Sequence, residues 1–263
     1  MMHHRILAAG FVALALSLPG LSLPVWAQIA GSDHFPTTGG VVDIVPIHHA
    51  SLMLAYKGRH ILIDPAPFDG AQGDAVTAPY KAMPRPDLIL ITHIHGDHFN
   101  APILEAVSGP DTVIVAPQNV RDAMPADLQA RAKVLKNGDH DIFAAIPVEA
   151  VAMYNITPAR ANFHPKGLGN GYVLTLGDKR IYIAGDTEET PELAHLAAID
   201  LAFIPANLPY TQTVEAAAKW VKDFRPKIVF PYHYRNQDGS MSDMAAFSTL
   251  VGNASLVRLR KWY

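Results

Sequence analysis

Cysteine is absent from all 263 residues. That excludes disulfides, zinc–thiolate sites and cysteine nucleophiles. Runs of lysine or arginine are absent too, and the formal net charge is −3. Nothing here suggests a nucleic-acid surface, and no nucleic-acid partner is expected. Ser51, Ser108 and Ser240 lack the glycine-flanked elbow that would expose a serine nucleophile. No apolar stretch reaches the ~20 residues that a membrane-spanning helix needs.

The nearest approach to such a stretch lies at the N-terminus. Ile6 to Leu18 is almost wholly apolar behind Arg5, and Pro19 and Gly20 break it. Val25-Trp26-Ala27 then places small residues at the −3 and −1 positions before Gln28. This pattern predicts a secretory signal peptide over 1–27, cleaved after Ala27. With no cysteine to follow it, a lipoprotein is excluded. The mature chain is expected to be periplasmic or secreted, without a stable membrane anchor. Its apolar fraction of 49% suits one domain over 28–263.

Periodicity gives the elements. Residues 28–40 read as a loose lead-in. Val41 to Pro46 reads as a strand, and Ser51 to Tyr56 with His60 to Ile63 as a hairpin about Lys57-Gly58. A long loop over 68–86 precedes the apolar run Leu88-Ile89-Leu90-Ile91, too short for a core helix. Asn100 caps a helix through Val107, and Thr112 to Ala116 is a strand. Residues 119–131 are helical with a break at Pro125, and Asn137-Gly138 signals a hairpin joining strands at 133–135 and 140–145. Val148 to Tyr154 is a further strand.

A second half then repeats the first. Residues 171–183 form a hairpin ending in Ile-x-Ile, as 51–63 do. Ile61 aligns with Ile181, Asp87 with Asp200 and Val113 with Ile228, at offsets of 120, 113 and 115 residues. Near-constant offsets argue for an internal duplication. Thr213 to Phe224 is an amphipathic helix with Val214, Ala217, Ala218, Val221 and Phe224 on one face. A helix over 242–251 and a strand over 256–259 close the chain. Two related halves of this kind, sheets inside and helices outside, predict an α/β four-layer αββα sandwich.

One stretch stands out within that frame. Thr92-His93-Ile94-His95-Gly96-Asp97-His98 places three imidazoles and a carboxylate just after a buried strand. On an extended backbone His93 and His95 point the same way, and Gly96 lets the chain bend to aim Asp97 and His98 at a neighbouring point. Imidazole and carboxylate are ligands for divalent transition metals, and two groups from one turn suggest two ions a few ångströms apart. Further donors at later strand ends include His164 in a loop, Asp186 after 181–183 and His233 after 227–230. An aspartate in such a position also serves as a turn or helix cap, so Asp186 alone does not establish a ligand.

The H-x-H-x-D-H pattern after a hydrophobic strand resembles the metallo-β-lactamase superfamily. Gly171-Tyr172, Ala184-Gly185-Asp186-Thr187 and Pro231-Tyr232-His233-Tyr234 look most like its branch of ascorbate-phosphate lactonase-like and related metal-dependent hydrolases. The resemblance covers nearly all of the mature chain and implies the αββα fold that the pattern predicts. It further implies one metal on His93, His95 and His164, a second on Asp97, His98 and His233, and Asp186 bridging them. Asn155 lies where some relatives place a histidine, leaving the third ligand of the first metal open to displacement along the loop. His49-Ala50-Ser51 resembles a feature of the same branch and marks His49 as a support behind the ligands. His140 and His195 read as surface residues.

By that resemblance the protein is an exported hydrolase. A hydroxide bridging two divalent ions, zinc before manganese or iron, attacks a small ester, lactone or amide, with Asp97 orienting it and shuttling its proton. Diiron relatives carry an acidic residue in the first motif where this chain has Ile94, Gly96 or His98, which disfavours iron redox chemistry. A small or lipid phosphodiester, a β-lactam and non-catalytic metal binding remain alternatives. Specificity is expected in loops 66–86, 155–170 and 206–212, with Tyr154, Tyr210 and Tyr234 as candidate pocket aromatics. Expressed from its full sequence in a Gram-negative host, the protein should be recovered from the periplasm beginning at Gln28. Intact-mass spectrometry of the periplasmic and cytoplasmic fractions checks this, and an unprocessed cytoplasmic chain would contradict it.

Overall fold

Strands buried on both faces read as unbroken apolar runs, because alternate side chains serve different layers. Ile61 and Ile63 face one core while Leu62 between them faces another. Leu88 and Leu90 alternate in the same way with Ile89 and Ile91. In the second half Ile181 and Ile183 point inward and Tyr182 outward. The period-2 alternation thus builds a central layer between two sheets and two outer layers beneath helices.

The computed structural model describes residues 32–263. The signal peptide expected over 1–27 lies outside the described residues, as does the side chain of His195. The first sheet runs β1 (Asp33–Thr37), β2 (Gly40–His48), β3 (Ser51–Tyr56), β4 (Arg59–Ile63), β5 (Leu88–Leu90), β6 (Val113–Ala116) and β7 (Ala132–Val134), in chain order. The second contains β8 (His140–Phe143), β9 (Ile146–Met153), β10 (Gly169–Leu176), β11 (Lys179–Ile183), β12 (Leu201–Pro205), β13 (Ile228–Tyr232) and β14 (Leu256–Val257), again as sequential neighbours. In each sheet the first four strands are antiparallel and the last four parallel. The two halves therefore share one topology, and the strands matched by sequence offset (β4 with β11, β5 with β12, β6 with β13) hold equivalent places.

Helices α1 (Ala78–Lys81), α2 (Ala101–Val107), α3 (Gln118–Asp122) and α4 (Ala126–Arg131) cover the first sheet. Helices α5 (Val214–Phe224) and α6 (Met244–Val251) cover the second. Caps set several boundaries. Asn100 accepts from the Ile103 N–H, Thr213 from Ala216, and Asp243 from Ala245 and Ala246. Pro125 separates α3 from α4, as expected. No helix among the described residues is long and apolar enough to cross a membrane.

Two expectations are corrected. The lead-in carries strand β1, which pairs with β2 at the sheet edge. Its Pro36 and half-exposed residues fit an edge, where alternation is weak. The Asn137-Gly138 turn exists, but its flanking strands belong to different sheets, so it is a crossover and not a hairpin. Asn137 Nδ2 lies 3.1 Å from the Val151 carbonyl, 2.9 Å from that of Gly169 and 2.7 Å from Asn170 Oδ1. Those contacts pin the crossover to the second sheet. The hairpin lies seven residues on, where Ala144 and Ala145 both take positive φ between β8 and β9.

Trp262 closes the central core. It is fully buried against Phe203 and Tyr232, and its Nε1–H donates to the Pro231 carbonyl at 3.0 Å. Trp262→Ala should cost about 3–5 kcal/mol through the cavity it leaves. Urea unfolding of wild type and variant measures the difference, and a loss below 1 kcal/mol would show that the core refills.

Candidate metal centre

The site forms where β5 of the first sheet and β11 and β13 of the second end side by side. After β5 the backbone turns sharply, with the N–H groups of His98 and Phe99 both donating to the His95 carbonyl. The turn brings His93 Nε2 within 3.0 Å of His95 Nδ1 and sets the His98 ring 4.1 Å from that of His93. Asp186 follows β11 through Gly185, whose φ is +66°. A Cβ there would lie 2.7 Å from Met153 Sδ and 3.0 Å from Thr92 Cβ, so only glycine fits. His233 leaves β13 with φ +46°. His49 (φ +58°) and Asp64 (φ +42°) share that uncommon region.

The seven residues singled out by sequence converge. Nitrogens of His93, His95 and His164 form one group within 4.8 Å of one another, and Asp97, His98 and His233 form a second, joined by His49. Asp186 sits between them. Its Oδ2 is 3.3 Å from His164 Nε2, and its Oδ1 is 3.4 Å from His98 Nε2 and 3.3 Å from His233 Nε2. These spacings match donors sharing one ion, since atoms ~2.1 Å from a tetrahedral centre lie about 3.4 Å apart. His98 Nε2, His164 Nε2, both nitrogens of His233 and Asp186 Oδ1 are buried without a hydrogen-bond partner. Buried polar atoms rarely stay unpaired, and an all-nitrogen-and-oxygen donor set suits a divalent transition metal. The His/Asp cluster is thus able to bind metal.

The far nitrogens are held from behind. Asp64, fully buried, accepts from the Thr92 N–H at 2.7 Å and hydroxyl at 2.6 Å, and its Oδ2 lies 2.8 Å from His98 Nδ1. His164 Nδ1 is 3.1 Å from the Tyr210 carbonyl and 3.2 Å from Asn155 Nδ2. Asn155 therefore orients His164, and it is His164 that joins His93 and His95 in the first group. Glu188 fastens the same loop, accepting from the N–H groups of Ile156 and Thr157 and from Arg160. His49 bridges Asp97 Oδ2 at 2.9 Å and the Tyr263 hydroxyl at 2.9 Å. Sequence reading missed Asp64, Glu188 and Tyr263. An aspartate closing a strand reads as a turn residue, and the other two act at long range. His140 is exposed, as expected. Tyr154 and Tyr234 turn their hydroxyls to Glu192 and the Arg260 carbonyl, and the Tyr210 ring packs on Phe163.

Charge is divided unevenly. Burial works against the charged form of His98, but the carboxylates of Asp186, Asp97 and Asp64 outweigh it and push its pKa well above the ordinary value. Asp186 raises His233 to about 8 against the same burial. Burial and neighbouring histidines depress His93 well below the ordinary value, and burial takes His49 and His164 down to about 4. Asp97 and Asp186 resist burial through their histidine neighbours and stay ionised.

Comparison with known proteins identifies the family. Residues 43–233 match the family model of the beta-lactamase superfamily domain. A UPF0173 metal-dependent hydrolase of Pyrococcus horikoshii is 30% identical over 227 residues, covering 84% of this chain and 97% of its own. A crystal structure from Parabacteroides distasonis, assigned as a metal-dependent hydrolase, is 40% identical with a TM-score of 0.77, covering 88% of this chain and 99% of that one. Igni18, a metallo hydrolase of Ignicoccus hospitalis, has a TM-score of 0.67 at 22% identity and covers 84% and 95%, a likeness of fold alone. The chain belongs to the beta-lactamase superfamily and, within it, to the UPF0173 metal-dependent hydrolases.

Proposed function

We propose that this protein is an exported dinuclear hydrolase of small esters, lactones or amides. The apolar run Ile6 to Leu18 followed by Val25-Trp26-Ala27 supports the export, and zinc is the first choice of ion. The observation that carries the dinuclear reading is the position of Asp186. Each of its oxygens faces a different histidine group, and buried, unpartnered histidine nitrogens surround it. In this reading His93, His95 and His164 hold one ion, Asp97, His98 and His233 the other, and Asp186 both. Divalent ions held there would bring a bound water towards a pKa of about 7 and polarise the oxygen on which charge develops.

The chain's own residues do the rest. Asp97 is half-exposed, which opens its carboxylate to substrate. His49 and His233 contact its Oδ2 at 2.9 and 3.4 Å and fix which oxygen faces the cluster. That leaves Asp97 placed to orient the attacking water and to carry its proton to the leaving group. Asp64 and the Tyr210 carbonyl, by holding the Nδ1 atoms of His98 and His164, leave both Nε2 atoms to face inward. A lactone or ester fits because the reaction needs only a polarised carbonyl and a protonated leaving oxygen.

Asp186→Ala should lower bound metal and reduce hydrolysis to background while the protein stays folded. Elemental analysis, activity on a panel of lactone, ester, β-lactam and phosphodiester, and circular dichroism check this together. Full activity in a folded variant would sink the dinuclear reading.

A pH dependence follows from the same groups. His233, raised to about 8, carries a proton below that pH when no metal is bound, and His98, raised well above its ordinary value by the surrounding carboxylates, is protonated as well. Metal must displace those protons, so affinity should weaken as pH falls from 8 to 6, by about tenfold per pH unit for each proton displaced. Competition against a chromophoric chelator measures it, and an affinity unchanged across that range would contradict the assignment of these two ligands.

A further inference from the structure

Beside the His93, His95 and His164 edge of the cluster lies a cavity of about 150 Å³. Ile94, Met153, Phe163, Pro165 and Leu168 form its apolar wall. Ile94 and Leu168 are large apolar side chains left 41% and 48% exposed at its mouth. Met153 is buried and packs directly over Gly169, where a Cβ would lie 2.4 Å from its Cε. Larger grooves along β8 and β9 hold none of the clustered histidines. Loops 66–86 and 206–212 contribute nothing to this cavity, and loop 155–170 supplies one side of it.

Its charge is as informative as its shape. No lysine or arginine lines the cavity among the described residues. The nearby cations are occupied: Arg160 by Glu188, Lys166 by Glu192 and Arg121 by Asp122. A carboxylate or phosphate held against Ile94, Phe163, Pro165 and Leu168 would lose hydration to apolar side chains, and the one positive charge within reach would be the ion on His93, His95 and His164, which the scissile carbonyl engages in the reading above. Besides the histidines, Asn119 and Asn162 are the polar side chains of the lining, and the Asn119 Oδ1 is buried without a partner. An apolar cavity of about this volume accommodates benzene.

We propose that this cavity selects substrates carrying an uncharged, apolar group of roughly benzene size beside the scissile bond, with room for one hydrogen-bond donor facing Asn119. The proposal rests on the hydrolase reading above for where the scissile bond lies. It separates neutral esters and amides from substrates bearing an anionic group at that position, phosphate included.

The test uses two esters with one reacting carbonyl, methyl benzoate and monomethyl terephthalate, the second carrying a carboxylate at the far end of the ring. The metal-loaded enzyme should favour the neutral ester by about tenfold or more in kcat/KM. Leu168→Lys, at an exposed position outside the metal cluster, should erase or invert that preference without changing metal content or melting temperature. Equal turnover of both esters, or a ratio unmoved by the lysine, would overturn the proposal while leaving the hydrolase reading intact. If neither ester is hydrolysed, saturation-transfer NMR still decides. Binding of the methyl benzoate ring that is lost in Leu168→Lys upholds the cavity assignment and counts against ester hydrolysis, and absent binding overturns the assignment.

Discussion

A buried carboxylate governs the centre. Asp64 has no access to water, yet it accepts from the Thr92 N–H and hydroxyl and lies within hydrogen-bond distance of the His98 imidazole. Such a charge is tolerable only when several donors surround it. The arrangement fixes the end of β4 against the loop after β5, and hence the start of the turn that presents His93, His95, Asp97 and His98. From the second sheet, the Tyr172 hydroxyl donates to the Ile91 carbonyl at 2.8 Å and the Asn170 N–H to the Thr92 carbonyl at 2.9 Å. The same short segment is thus held by its own sheet and by the opposite one.

This double hold explains why a functional cluster lies between two rigid layers and not on a mobile surface. Strand ends supply direction, and the following one or two residues supply the bend. His49, Asp64 and His233 all adopt left-handed backbone at these bends. Non-glycine residues in that region gather at functional sites, where the surrounding structure holds them. Here the surroundings are the packed ends of β2, β4 and β13.

Much of this was legible in the sequence because both signals are local. Unbroken apolar runs such as 88–91 and 181–183 announce strands covered on two sides, and the repeated offsets place the halves in equivalent topology. The H-x-H-x-D-H turn concentrates four donors in six residues. His164, Asp186 and His233 were reachable because each follows or precedes a recognisable strand. What was hidden depends on distance. Glu188 holds a loop that begins more than thirty residues before it, and Tyr263 reaches His49 from the far end of the chain. The crossover at Asn137 was misread because a turn dipeptide specifies a bend but not which sheet receives the next strand. The edge strand β1 was missed because an edge need not alternate.

Sheet neighbours in this fold are also chain neighbours, so each half assembles from consecutive stretches of chain. The donors are shared unequally across the seam, with His93, His95, Asp97 and His98 on one side and His164, Asp186 and His233 on the other. An ion gripped from both sides recognises only the docked pair of halves. Its binding free energy is then added to the contact between them, by about 2.7 kcal/mol when the ion stands at a hundred times its dissociation constant. The centre would serve as a clasp as well as a reaction site, coupling the supply of metal to the lifetime of the fold.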